Sequence, residues 1–335
     1  MSFRAFIAGC AGFSLSADER AFFREARPWG LILFRRNIED PAQVRALTES
    51  FREILGDDAA VLVDQEGGRV QRLTQPHWPV YPPAAAFGRI GADERLAYFS
   101  ARLMARDLRE LGIDVDCLPV LDVPTPEAHK IIGDRAYGDN PKDVARLGRS
   151  AAQGLMAGGV MPVMKHLPGH GRALADSHFE LPQVSAPRAE LQRDFAPFKA
   201  NADLPAAMTA HVVYQQIDPQ NPATHSRLVV EEIIRGEIGF SGLLMSDDLS
   251  MQALGGPFFE RSARAFAAGL DLALHCNGDL SEAGAVAQAA PVLAGEALAR
   301  VIRARAQVAK AFAEAEPFDP VEARAELVSA LAALA

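Results

Sequence analysis

Eight short apolar runs, each ending in polar residues and followed by a longer amphipathic stretch, restrict this chain more than any other feature. The runs are residues 5–9, 30–34, 60–64, 114–118, 160–166, 206–212, 243–247 and 270–275. Runs of this length with little alternation read as strands buried on both faces, the habit of parallel sheets. The stretches between them have helical period. Asp40-Pro41 reads as a cap and first helical residue, with Val44, Leu47, Phe51 and Ile54 on one face. Asp93 opens another helix that stops before Gly112, and Asn140-Pro141 opens a third; segments from Arg188, 228–235 and 260–268 supply more. Eight strands alternating with helices predict an α/β fold, a closed (β/α)8 TIM-type barrel. A doubly wound open sheet is the competing architecture, but Gly9-Cys10-Ala11-Gly12 is not the Gly-rich dinucleotide turn that would follow its first strand. The Ala-rich stretch 280–335 reads as the last barrel helix plus one further helix packed outside. The expectation is one domain over 1–335, with the barrel to about 316 and the extra helix over about 320–334.

Composition narrows the function classes. With 34 Lys and Arg against 43 Asp and Glu, the net charge is −9 and no basic run breaks the balance. That argues against nucleic acid or an anionic membrane as the main partner. Cys10, Cys117 and Cys276 lie far apart in or beside apolar runs, which suits buried thiols in a reducing compartment. Ile7-Ala8-Gly9-Cys10 has the look of a lipoprotein cleavage site, yet the apolar stretch before it is too short for a secretory segment. Cleavage there would also delete the first strand. No apolar stretch approaches the roughly 20 residues of a membrane span. A cytoplasmic monomer is the expectation.

Polar residues gather where the strands end, the catalytic face of barrels. The third run ends in Asp64-Gln65-Glu66-Gly67-Gly68-Arg69-Val70-Gln71-Arg72, a carboxylate followed by a flexible turn that could hold a polar ligand. Equally, Asp64 could cap a helix, and Arg69 and Arg72 could be surface charges. The fifth run leads into Lys165-His166-Leu167-Pro168-Gly169-His170-Gly171, then Arg172-Ala173-Leu174-Ala175-Asp176-Ser177-His178. Its glycines and proline predict a long loop over the strand ends. Asp176 lies within reach of the His178 imidazole, a contact that would orient the ring for giving and taking a proton. Two alternatives stay open: His166, His170 and His178 with Asp176 could ligate a metal, or the segment could be an ordinary polar loop. The seventh run ends in Ser246-Asp247-Asp248. Two buried adjacent carboxylates would repel, so one is expected to face a pocket while the other caps a helix or reaches solvent.

Lys165-His166-x-Pro168-Gly169-His170-Gly171-x-x-x-x-Asp176-Ser177-His178, with Ser246-Asp247 on a later strand, resembles the family 3 glycoside hydrolases. The Asp-Ser-His element points to their β-N-acetylglucosaminidase branch, enzymes that trim peptidoglycan fragments. The segment from Asp64 to Arg72 and Gly133-Asp134-Arg135 look like further family segments, and the likeness runs from about Gly30 to Asn277. Leu167 stands where bulkier apolar residues are common. The resemblance implies a retaining mechanism with Asp247 as nucleophile, and His178 as acid/base with Asp176 as its partner. It also implies that Asp64, Arg72, Arg135, Lys165 and His166 grip the terminal sugar, with no metal and no cofactor. The expected substrate is a peptidoglycan-derived muropeptide ending in β-linked N-acetylglucosamine. Two other readings keep the same residues in view: a phosphorylase on the same fold, and a metal-dependent hydrolase using His166, His170 and His178.

Overall fold

The computed structural model describes residues 2–177 and 179–332. Eight parallel strands close into a barrel: β1 (Arg4–Gly9), β2 (Pro28–Leu33), β3 (Ala60–Val63), β4 (Val115–Asp116), β5 (Met161–Leu167), β6 (Ala206–Thr209), β7 (Leu243–Asp248) and β8 (Leu272–His275). Each strand pairs with its neighbours in sequence, and β1 closes the ring on β8 through the Phe6–Ala273 and Ile7–Leu274 register. Helices follow the strands: α1 (Ala17–Ala26), α2 (Pro41–Leu55), α3 (Glu94–Arg109), α4 (Pro141–Ala157), α5 (Arg188–Ala200), a wider π-type helix (Val229–Glu237), α6 (Phe258–Ala268) and α7 (Leu280–Ala289). The (β/α)8 barrel expected from the eight runs is therefore the fold, since only a closed ring leaves every strand buried on both sides.

The caps read from sequence form as expected. Asp40 accepts from the Ala42 and Gln43 amides at 2.8 and 2.9 Å, Asp93 from Arg95, and Asn140 from Lys142. Four strands, β3, β4, β6 and β8, are shorter than their apolar runs, β4 and β6 by the most. β4 ends at Asp116, where the Leu118 amide turns back onto the Asp116 carbonyl at 2.8 Å. β6 ends at Thr209, and beyond it Val213–Tyr214 pairs with Gln183–Val184.

The carboxy-terminal region departs from expectation. Two helices, not one, follow the last barrel helix: α8 (Gly295–Ala313) and α9 (Pro320–Ala332). α8 crosses the amino-terminal mouth of the barrel. Arg300 pairs with Asp271 at 2.8 Å, Arg305 donates to the Asp58 carbonyl at 2.6 Å, and Gln307 donates to the Asp203 carbonyl at 3.0 Å. Those acceptors precede β8, β3 and β6, so α8 spans the end opposite the polar strand termini. The Ala-rich sequence hid the break between α7 and α8 because helical period continues on both sides of it. α9 lies along α3, with Arg324 over the Tyr81 ring. The expected end of this helix, residues 333–334, lies outside the described residues.

Helices α3 and α4 pack closely at Gly154, where an added methyl group would sit 2.3 Å from the Tyr98 carbonyl oxygen. Helix propensity favours alanine over glycine by about 1 kcal/mol, whereas overpacking against fixed backbone costs about 1–3 kcal/mol. Gly154→Ala should therefore lower the urea midpoint; a raised midpoint would mean the two helices separate at little cost.

Candidate active site

The carboxyl ends of the strands surround a cavity of about 330 Å³ lined by Asp64, Glu66, Arg72, Arg135, Lys165, His166 and Asp247, among others. Its floor is an ion network. Lys165 on β5, with a side chain 3% exposed, sends Nζ to Asp64 Oδ1 at 2.8 Å and to Glu66 Oε1 at 2.6 Å. Arg72 takes the other Asp64 oxygen at 3.0 Å and lies over the Phe34 ring. Arg135 meets Glu66 as a fork, Nε to Oε2 and Nη2 to Oε1, both at 2.8 Å.

Local sequence explains how these groups reach the cavity. After β3 the chain folds into a small antiparallel ribbon, Gln65–Gly67 against Val70–Gln71. Gly67 and Gly68 turn it at φ +87 and +57°, and a side chain on Gly67 would strike the Pro82 carbonyl at 2.3 Å. Gln65 accepts the Arg72 and Leu73 amides at 3.0 Å, which locks the return of the ribbon and with it Arg72.

Burial alone would neutralise these charges, but mutual pairing reverses the outcome. Burial pushes the Asp64 carboxyl up, yet Lys165 and Arg72 hold it well below the usual carboxylate range. Glu66, opposed by Lys165 and Arg135, falls from 4.5 to about 2. Burial would strip the Lys165 proton, whereas Asp64 and Glu66 keep the ammonium charged far above its ordinary range.

A second layer surrounds His166. Its Nδ1 lies 2.7 Å from Asp122 Oδ2, and its Nε2 lies 3.5 Å from Arg135 Nη2. Asp122, wholly buried, also accepts the His170 amide at 2.6 Å through Oδ1. His170 lines the cavity and is shifted down to about 4, first by burial and then by the neighbouring His166.

The two adjacent carboxylates on β7 divide their work. Asp248 accepts Ser250 N at 2.9 Å, Ser250 Oγ at 2.5 Å and Cys276 N at 3.1 Å, so it anchors the turn after the strand. Asp247 accepts the Asp248 amide at 2.8 Å and faces the cavity. Burial raises its carboxyl, but His166, His211, the Asp248 amide and Lys165 together bring it below its ordinary value. His211 is wholly buried, with Nε2 on the Asp248 carbonyl at 3.0 Å and Nδ1 on Thr224 Oγ1 at 2.7 Å.

Of the residues singled out from sequence, Asp64, Arg72, Arg135, Lys165, His166 and Asp247 share this one cavity. The segment after Pro168 is the expected loop. Asp176 is half-buried within it, and its neighbour Ser177 lines the same cavity as Asp247. Ser177 is seated by its carbonyl on the Ala253 amide at 3.2 Å. His178 lies outside the described residues. Among the described residues, no group of three or more His, Cys, Asp or Glu is arranged to hold a metal ion. The sequence reading missed Glu66, Asp122 and His211 as site residues. Glu66 lay inside a quoted motif. Asp122 sits past Pro119, where the fourth apolar run had ended, and His211 was absorbed into the sixth run as strand interior.

A closed ring of parallel strands with an ion-lined cavity at its carboxyl end is the layout of a barrel enzyme with a polar ligand. Residues 11–310 match the glycosyl hydrolase family 3 N terminal domain. The chain belongs to glycosyl hydrolase family 3, and is thus a glycoside hydrolase. It is 41% identical over 278 residues to a beta-hexosaminidase of Alkalilimnicola ehrlichii, covering 80% of this chain and 79% of that one. It is 42% identical over 270 residues to a beta-hexosaminidase of Pseudomonas aeruginosa, covering 79% and 80%. The crystal structure of NagZ from Neisseria gonorrhoeae in complex with N-trifluoroacetyl-D-glucosamine superposes with a TM-score of 0.77 and 33% identity, over 93% of this chain and 99% of that one. A family 3 beta-N-acetylglucosaminidase from Paenibacillus sp. str. FPU-7 gives a TM-score of 0.84 at 34% identity; it covers 94% of this chain, which spans 62% of that longer one.

The ion network carries a pH signature. Glu66 titrates lower folded than unfolded, so its ionised form contributes stability that is complete above about pH 4.5 and is lost as pH falls toward 2. Glu66→Gln should be less stable than the parent at pH 7 by about 3 kcal/mol, the scale for breaking a buried pair. That gap should narrow at pH 3. Urea midpoints at both pH values check it, and an unchanged gap would contradict the assignment.

Proposed function

We propose that the chain is a retaining exo-β-N-acetylglucosaminidase that removes terminal β-linked N-acetylglucosamine from peptidoglycan-derived muropeptides. The observation that carries this reading is Asp247, a strand-end carboxylate facing a polar cavity and held ionised by the imidazoles and ammonium around it. The beta-hexosaminidase relatives supply the sugar class, and the closed, ion-floored cavity suits a chain end rather than a through-running polymer. In this reading the chain works as a single-domain monomer in the cytoplasm. Among the described residues, no helix is long and apolar enough to cross a membrane.

Two displacements account for retention. In the first, one oxygen of Asp247 bonds to the anomeric carbon as the glycosidic bond breaks, and the leaving oxygen takes a proton from the His178 imidazolium. The second Asp247 oxygen keeps the Asp248 amide proton as its partner. In the second displacement, water bonds to the same carbon, the ester bond breaks, and neutral His178 takes the water proton. Asp176 orients the ring through both steps. Using His178 instead of a second carboxylate also avoids placing another negative charge near an anionic muramyl group. Asp64, Arg72, Arg135, Lys165 and His166 hold the sugar hydroxyls and acetamido group. These contacts accelerate the reaction only where they strengthen as the oxocarbenium-like state forms.

Asp247→Ala should cut turnover of an aryl β-N-acetylglucosaminide by roughly 10⁴-fold or more, the scale for losing a nucleophile. A slow fluorinated substrate should label Asp247 in the parent protein, and a label on another residue ends the assignment. The product should be free sugar whether or not phosphate is present; a sugar phosphate would make the chain a phosphorylase.

His178→Ala should slow substrates with poor leaving groups far more than activated aryl ones. Equal losses on both would remove His178 as the acid.

A further inference from the structure

Asp122, at the mouth of the barrel, touches both His166 and the start of the loop that follows β5. It follows Leu121, whose amide is fixed by the Lys165 carbonyl at 2.8 Å, and it is wholly buried. Oδ2 meets His166 Nδ1 at 2.7 Å, while Oδ1 receives the His170 amide at 2.6 Å. A carboxylate can only accept, so the hydrogen at His166 stays on Nδ1 and Nε2 is the atom offered to the cavity. His170 begins the excursion that carries Asp176 and His178. The root of that excursion rests on the segment after Asp122. Thr125 donates to the Gly171 carbonyl at 3.2 Å and His129 to the Ala173 carbonyl at 2.9 Å. Gly171 approaches Val123 so closely that a methyl group there would lie 2.1 Å from the Val123 oxygen. The loop root thus packs directly on the segment that carries Asp122.

We propose that Asp122 is a positioning residue that couples the sugar grip to the acid/base loop, orienting His166 with one oxygen and the root of the loop with the other. This rests on the function proposed above. An asparagine of the same size can keep only one of the two contacts. Its carbonyl serves one partner, and its NH2 then faces either His166 Nδ1, forcing the hydrogen to Nε2, or the His170 N–H, donor against donor.

Asp122→Asn should lower kcat/KM on an activated aryl β-N-acetylglucosaminide by about 10–100-fold, the range for groups that orient a site residue. If it acts through His166, adding it to His166→Ala should cost less than about threefold on that substrate, a strong departure from additivity. On a substrate with a poor leaving group it should still cost tenfold or more in the His166→Ala background, because the loop contact is lost separately. A loss within about threefold of the parent for the single variant overturns the proposal. So does full additivity on the activated substrate, which a general weakening of the fold would give. A wild-type measurement serves if Asp122→Asn does not fold. The His166 Nδ1 proton should appear as a far-downfield imidazole resonance that persists above pH 7 and vanishes in His166→Gln, and its absence overturns the proposal. That resonance is read without any turnover, so it separates failure here from failure of the proposed activity.

Discussion

The buried ammonium of Lys165 is the constraint around which the rest of the site is arranged. Taken from water without partners, such a charge would cost several kcal/mol, and the chain tolerates it only because Asp64 and Glu66 both reach it from the far side of β4. Those carboxylates need Arg72 and Arg135 in turn, so the network fixes the ribbon after β3 and the segment around Gly133. A barrel makes this arrangement possible. Parallel strands bring their carboxyl ends to one mouth, and residues 101 positions apart in sequence meet as one ion pair.

Around that network, electrostatics assigns roles that residue type alone does not. Asp247 and Asp248 are neighbours of the same kind and both line the cavity, yet Asp248 is tied to Ser250 and Cys276 whereas Asp247 accepts the Asp248 amide. His166, His170 and His211 likewise differ by what holds each ring. Asp122 fixes the first, burial lowers the second, and Thr224 with the Asp248 carbonyl clamps the third. The opposite mouth of the barrel is spanned by α8, and the polar cavity lies at the carboxyl ends of the strands.

Much of this was legible from local pattern. The eight apolar runs located all eight strands because burial on both faces demands continuous apolar sequence. Asp40, Asp93 and Asn140 marked helix starts because capping is a contact within four residues. The carboxylates and bases at strand ends pointed to one face for the same reason, since in a parallel barrel each strand delivers its last residues to the same side. What failed to show was whatever depends on partners distant in sequence. The break between α7 and α8 was invisible because an Ala-rich helix signal does not register where a helix must turn to cross the barrel. Asp122 was passed over because Pro119 ended the apparent strand before it, and only the β5 neighbour gives that carboxylate its purpose.

The sequence by itself determined the barrel and the inventory of ionisable groups at its mouth, because strand burial and capping are settled by short-range spacing and residue type. Tertiary structure alone decided which charge meets which. It put Lys165 between two carboxylates, and tied Asp248 to the Ser250 and Cys276 amides and His166 to Asp122. Those outcomes depend on distances of about 3 Å between segments tens of residues apart, and no local pattern encodes a contact whose two halves are separately placed by the closing of the ring.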